Sequence, residues 1–79
     1  MPLMTLDEVA IGRPARILAL TGPDESELSR MTGLGLRLGA TITKLVMTPL
    51  QDPVECLVGP QLLTIERRIL RRIEVEPLR

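Results

Sequence analysis

The sequence predicts a mainly β protein: five short strands curled into a small, partly closed barrel. One short helix follows the first strand, and single helical turns fall near residues 5–11 and 66–70. Three observations carry that expectation. After Gly39 the apolar residues leave helical spacing and fall in short β-branched or alternating runs. Gly and Pro punctuate those runs at short intervals. A chain of 79 residues with 44% hydrophobic and 25% charged side chains is a foldable unit with one small core, here a single domain over residues 1–79. Closing the strands on themselves removes the sheet edges that short strands would otherwise expose.

Thr5-Leu6-Asp7-Glu8 has the Thr-x-x-Glu form of a capping box, with Met4 and Val9 placed as a hydrophobic staple. The turn that follows is expected to stop near Gly12, and Pro14 limits its continuation. Residues 15–20 then read as a strand with Ala15, Ile17 and Ala19 on one face. Gly22-Pro23 ends it, and Asp24 with Glu27 three residues on reads as the start of a helix running to about Thr32. Leu28 and Met31 give that helix its apolar stripe, extended by Leu34 beyond Gly33. Four further strands are expected at 41–48, 54–58, 62–65 and 72–76, with Val54, Cys56 and Val58 sharing a face and Ile73 and Val75 opposite Arg72, Glu74 and Glu76. Lys44 falls on the face of Ile42 and Val46, which predicts a bend or bulge. The links at 49–53, 59–60 and 66–70 are short enough for neighbouring antiparallel strands.

What the chain lacks narrows its chemistry. It has no histidine, so no imidazole serves as a general base, activates a nucleophile or ligates a transition metal. No aromatic residue offers a stacking platform for bases or a groove for polyproline. Ten basic and ten acidic side chains balance to a net charge of zero, without the electrostatic footprint of a nucleic-acid binder. A lone cysteine closes no intramolecular disulfide, which fits a reducing cytoplasm. The N-terminus has no basic n-region or long apolar stretch, so neither a signal peptide nor a membrane span is expected. Catalytic residues, a cofactor and a metal site are not expected, and binding is left to aliphatic or ionic surfaces.

Three segments remain as candidates. Gly33-Leu34-Gly35-Leu36-Arg37-Leu38-Gly39 has neither the spacing nor the strand-to-helix setting of a phosphate loop; its glycines suit a helix end and a tight entry into the next strand. Its leucines cannot all point inward, and an exposed aliphatic cluster marks a docking site. Arg67, Arg68, Arg71 and Arg72 read first as a solvated edge balanced by Glu66, Glu74 and Glu76, and otherwise as a contact for an acidic partner. Cys56, between Val54 and Val58, reads as a small core residue, and Asp52 between two prolines as a turn residue bonding its own backbone.

With these segments in order, the chain resembles the FeoA family, small cytoplasmic proteins of bacterial ferrous-iron uptake built on an SH3-like barrel. Residues 34–39, Leu-Gly-Leu-Arg-Leu-Gly, are similar to the family's L-G-[LM]-x-P-G segment. Residues 49–53, Pro-Leu-Gln-Asp-Pro, are similar to its P-L-G-D-P, and the ending Ile73-Glu74-Val75-Glu76 agrees as well. Leu38 stands where the family usually has proline and Gln51 where it usually has glycine. The resemblance implies a non-enzymatic adaptor or regulator of the membrane iron permease FeoB, acting on its cytoplasmic GTP-binding domain without itself carrying iron. The expected contact surface is Met31, Leu34, Leu36 and Leu50, flanked by Arg37. Neither nucleic acid nor membrane insertion is expected, and weak self-association is compatible with the sequence. The alternatives are a small nucleic-acid or ribosome-associated barrel using the arginine cluster and a standalone relative of the SH3-like domain of iron-dependent repressors.

Overall fold

The computed structural model describes residues 4–47 and 49–78. Strands β1 (Met4–Thr5), β2 (Ala15–Leu20), β3 (Thr41–Met47), β4 (Val54–Val58), β5 (Gln61–Ile65) and β6 (Ile73–Pro77) form one antiparallel sheet in the order β1-β6-β2-β3-β4-β5. Helix α1 (Glu25–Gly33) follows β2, and a one-turn helix α2 (Arg67–Leu70) separates β5 from β6. The fold class is the expected one, with two differences. A sixth strand, β1, pairs Met4 with Val75 and Thr5 with Glu74 just before a 3₁₀ turn at Leu6–Glu8. The link at 66–70 does not return the chain beside β5: β6 crosses to lie between β1 and β2. Thr48, the expected end of the third strand, lies outside the described residues.

Local chemistry accounts for the element ends. The Asp24 carboxylate accepts the Glu27 backbone N–H at 2.9 Å, satisfying one of the free amides of the first turn of α1, and Glu25 and Glu27 complement its dipole. At the 3₁₀ turn the Thr5 backbone N–H and hydroxyl both donate to Glu8 Oε1, at 2.8 and 3.2 Å. The register of β3 against β4 slips between Lys44 and Val46, the bulge the misplaced lysine predicted. A second slip, between Ile17 and Ala19, was not foreseen. It ends the alternation after Ile17, so Leu20 rather than Ala19 packs against the core.

The core gathers residues from every layer: Leu6, Val9, Ala15, Ile17, Met31, Leu36, Ile42, Val54, Cys56, Val58, Ile65, Ile69, Leu70, Ile73 and Val75. Two of these overturn the expected contact surface. Met31 and Leu36 are both fully buried, because the apolar stripe of α1, Leu28 and Met31, packs on the core and Leu36 follows Met31 inward. The Leu36 N–H donates to the Met31 carbonyl at 3.3 Å, folding the segment back under the helix end.

Candidate functional site

Two regions concentrate the polar and exposed apolar groups. The first joins the 3₁₀ turn to α2. Asp7 accepts from Arg67 Nε at 3.2 Å and Arg71 Nε at 3.4 Å, and its backbone carbonyl accepts from Lys44 Nζ at 3.2 Å. Burial alone would raise the Asp7 carboxyl, but the hydrogen bond and charge of Arg67, then those of Arg71, outweigh it and hold the group below its ordinary value. Lys44, only 3% exposed and the partner of Cys56 across the β3–β4 ladder, is shifted down by burial, partly offset by the negative charge of Asp7. Cys56 is pushed up to about 11, again by burial, with Lys44 opposing. Its thiol is therefore neutral near pH 7 and is not a nucleophile.

Arg68 bonds Glu27 Oε1 at 2.8 Å and Glu66 Oε2 at 3.2 Å, which ties α2 to α1. Asp52 accepts the Arg67 backbone N–H at 3.0 Å, so this turn residue caps α2 fifteen positions on. Three of the four clustered arginines are thus engaged by carboxylates of the same chain. A phosphate ligand would have to displace those carboxylates, which weakens the nucleic-acid alternative. Among the described residues no three His, Cys, Asp or Glu side chains come together as metal ligands would.

The second region sets exposed leucines among polar side chains and glycines. Between the C-terminal end of α1 and the first half of β5 lies an open cleft of about 720 Å³, lined by Thr32, Leu34, Arg37, Gln61, Leu62 and Leu63 together with Gly33 and Gly35. Gly35 makes the close approach of its walls possible. Its φ is 101°, and a Cβ there would stand 3.0 Å from Gln61 Oε1. Leu34 is 42% exposed and Leu62 61%, and Leu62 pairs across the ladder with the half-exposed Leu57. Of the residues expected from sequence, Leu34 and Arg37 line this cleft. Leu50 does not: it is 87% exposed but sits in the β3–β4 turn, at the Ile65 end of β5 rather than the Gln61 end. Thr32, Gln61, Leu62 and Leu63 were missed. Their one sequence signal was a pair of adjacent leucines after the Gly59-Pro60 turn, one of which must leave the core face in a strand.

A six-stranded antiparallel sheet with one short helix between its second and third strands places the chain among small SH3-like domains. The FeoA domain model matches residues 4–77, and the chain belongs to the FeoA family, small SH3-like proteins of ferrous-iron transport. It is similar to iron(II) transport protein A from Clostridium thermocellum, 33% identical with a TM-score of 0.84 over 95% of this chain and 46% of that one, so it spans about half of that protein. FeoA of Stenotrophomonas maltophilia, solved in complex with zinc and described as a prokaryotic SH3 domain protein, is 20% identical with a TM-score of 0.77, covering 92% of this chain and 89% of its own. A manganese-dependent transcriptional repressor shares the fold at 14% identity and a TM-score of 0.87, over 99% of this chain and 38% of that one. That last likeness is one of fold alone. A search of curated protein sequences found no match.

Proposed function

We propose that this chain is a non-enzymatic accessory of ferrous-iron uptake that acts in the cytoplasm by docking to the GTP-binding domain of a FeoB-type permease. The observation that supports the reading is the cleft that exposes Leu34, Leu62 and Leu63 beside Arg37, while the ionic cluster at α2 is internally compensated. Desolvating these leucines against a partner is favourable at roughly 25 cal/mol per Å², and the single cation gives the contact its orientation. No helix among the described residues is long and apolar enough to cross a membrane.

The test is calorimetry with a purified permease G-domain. Leu36 is fully buried, so a charge there reports on folding and not on docking. The informative variant is Leu62→Asp, which is expected to keep the wild-type melting temperature and to weaken G-domain binding by about tenfold or more. Unchanged affinity for the folded variant would overturn the assignment. Binding driven by aliphatic contact also responds weakly to added salt, whereas a phosphate-directed arginine cluster would respond steeply.

A further inference from the structure

β5 is the last strand of the sheet, and among the described residues no backbone hydrogen bond reaches its outer edge from another element. Its orientation follows from the turn before it. Gly59-Pro60 joins β4 to β5 through two residues, with Val58 opposite Gln61. A two-residue hairpin closes on a hydrogen-bonded pair, and bonded and non-bonded pairs then alternate along the ladder. Gln61, Leu63 and Ile65 therefore bond inward to Val58, Cys56 and Val54. The N–H and C=O groups of Leu62 and Thr64 face outward. Native sheets blunt such edges with charges, prolines or bulges. β5 has none: Gln-Leu-Leu-Thr-Ile is uncharged, and its register against β4 is unbroken.

The cleft meets the first half of β5 at Gln61, Leu62 and Leu63, and its other wall is Thr32, Gly33, Leu34, Gly35 and Arg37; a strand added on the outer edge would run on from it past Thr64. The far wall decides what fits. An isolated extended segment can lie between the walls, whereas the edge strand of another sheet would bring its neighbouring strand against the end of α1. Arg37 is the one charged residue lining the cleft and makes no ion pair among the described residues. We propose that the cleft takes an extended segment of a protein partner as an added strand on β5. Its main chain bonds Leu62 and Thr64, an aliphatic side chain rests against Leu34 and Leu63, and a carboxylate faces Arg37. The proposal takes its location from the docking reading above and adds the occupant's conformation and chemistry.

The test uses the whole ¹⁵N-labelled chain and two blocked peptides that alternate valine with glutamate or valine with lysine. The glutamate peptide is expected to shift the Leu62 and Thr64 amides saturably and to slow their hydrogen exchange, and to bind at least about tenfold more tightly than the lysine peptide. Arg37→Glu reverses that preference. Thr64→Pro removes an outward N–H but spares the β4 ladder, so it abolishes binding without changing the fold; if that variant does not fold, amide protection in the wild type decides alone. No response of the two amides at about millimolar peptide, or equal binding of both peptides, overturns the proposal. A chain that takes the glutamate peptide but no G-domain keeps this inference and loses the permease reading. A G-domain bound without protection of the two amides, by a chain that ignores the peptide, does the reverse.

Discussion

The two ends of β5 are chemically opposite. At its Ile65 end, Asp7, Arg67, Arg71 and Lys44 are brought together by the 3₁₀ turn, α2 and β3; the Asp7 carboxylate accepts from both arginines and its backbone carbonyl from Lys44. At its Gln61 end Leu62 is 61% exposed and Leu34 42%, beside Gln61, Thr32 and Arg37, and among the described residues no backbone hydrogen bond from another element reaches the strand's outer edge. The charged end, which from sequence alone invites a ligand, is the closed one. The apolar end is where the fold leaves interactions unmade. Charge density by itself is a poor guide to a binding surface, because paired charges are already satisfied.

That contrast is sharpest within one tripeptide. Leu34 and Leu36 stand two residues apart, one 42% exposed at the cleft and the other fully buried beneath α1. Leu36→Asp places a carboxylate in the core without a partner and should cost on the order of 4 kcal/mol, enough to unfold a domain of this size. Leu34→Asp should change stability by less than about 0.5 kcal/mol while weakening partner binding. Chemical denaturation of both variants checks the pair, and equal losses would erase the distinction between wall and core.

Asp7→Ala breaks the comparison from the other side. It leaves Arg67 and Arg71 unpaired beside the buried Lys44, at an expected loss of about 2–3 kcal/mol, discounted for the partial exposure of the arginines. Because the folded pKa of Asp7 lies below its ordinary 3.8, its contribution is present above that value and disappears as pH falls through the folded pKa. The stability gap between wild type and variant should therefore be constant from neutral pH down to about 4 and shrink below it. Binding of the G-domain should be unaffected.

Much of this architecture can be read from residues alone, where the cause is local. Asp24 with Glu27 marks the start of α1, Val54-Cys56-Val58 marks the buried face of β4, and Lys44 among apolar neighbours marks a bulge. The failures have distant causes. β1 is two residues long, too short for any period, and exists only because β6 offers it an edge. The Arg67–Asp7 pair spans sixty positions, so α2 looks like an uncompensated basic cluster until the fold closes. The glycine-rich segment has neither a helical nor a strand period. Nothing in its sequence separates Leu36, which turns inward, from Leu34; Leu36 here and Met31 in α1 are the two residues of the expected surface that went to the core.

Alkaline stability probes the closed end through Cys56. In the unfolded chain the thiol ionises near 9.0, whereas burial pushes it up to about 11 in the fold, so wild-type stability falls as pH rises between the two. The full effect of that shift is about 2–3 kcal/mol. Lys44 acts in the opposite sense, since its folded pKa lies below 10.5 and the fold gains as the ammonium is lost. The difference between wild type and Cys56→Ala isolates the thiol. The variant should be about 1 kcal/mol weaker at neutral pH, and the two stability curves should cross between pH 9 and about 11. Parallel curves over that window would mean that the thiol is not held neutral by the core.

A further small effect is expected in the β3–β4 turn, away from the cleft. Gln51 has a φ of 63°, in the left-handed region that a side chain enters at a cost of about 1–2 kcal/mol. This is the position at which the family's P-L-G-D-P segment usually carries glycine. Gln51→Gly relieves the strain but frees the unfolded chain, a loss of about 0.5–1 kcal/mol, so the net gain should be about 0.5–1 kcal/mol. Gln51 is exposed, and among the described residues its side chain makes no hydrogen bond that the substitution would remove. Thermal melting should therefore rise by a few degrees, with G-domain affinity unchanged. A rise in affinity instead would place the turn, and with it Leu50, in the contact surface after all, and would make the docking face run the whole length of β5.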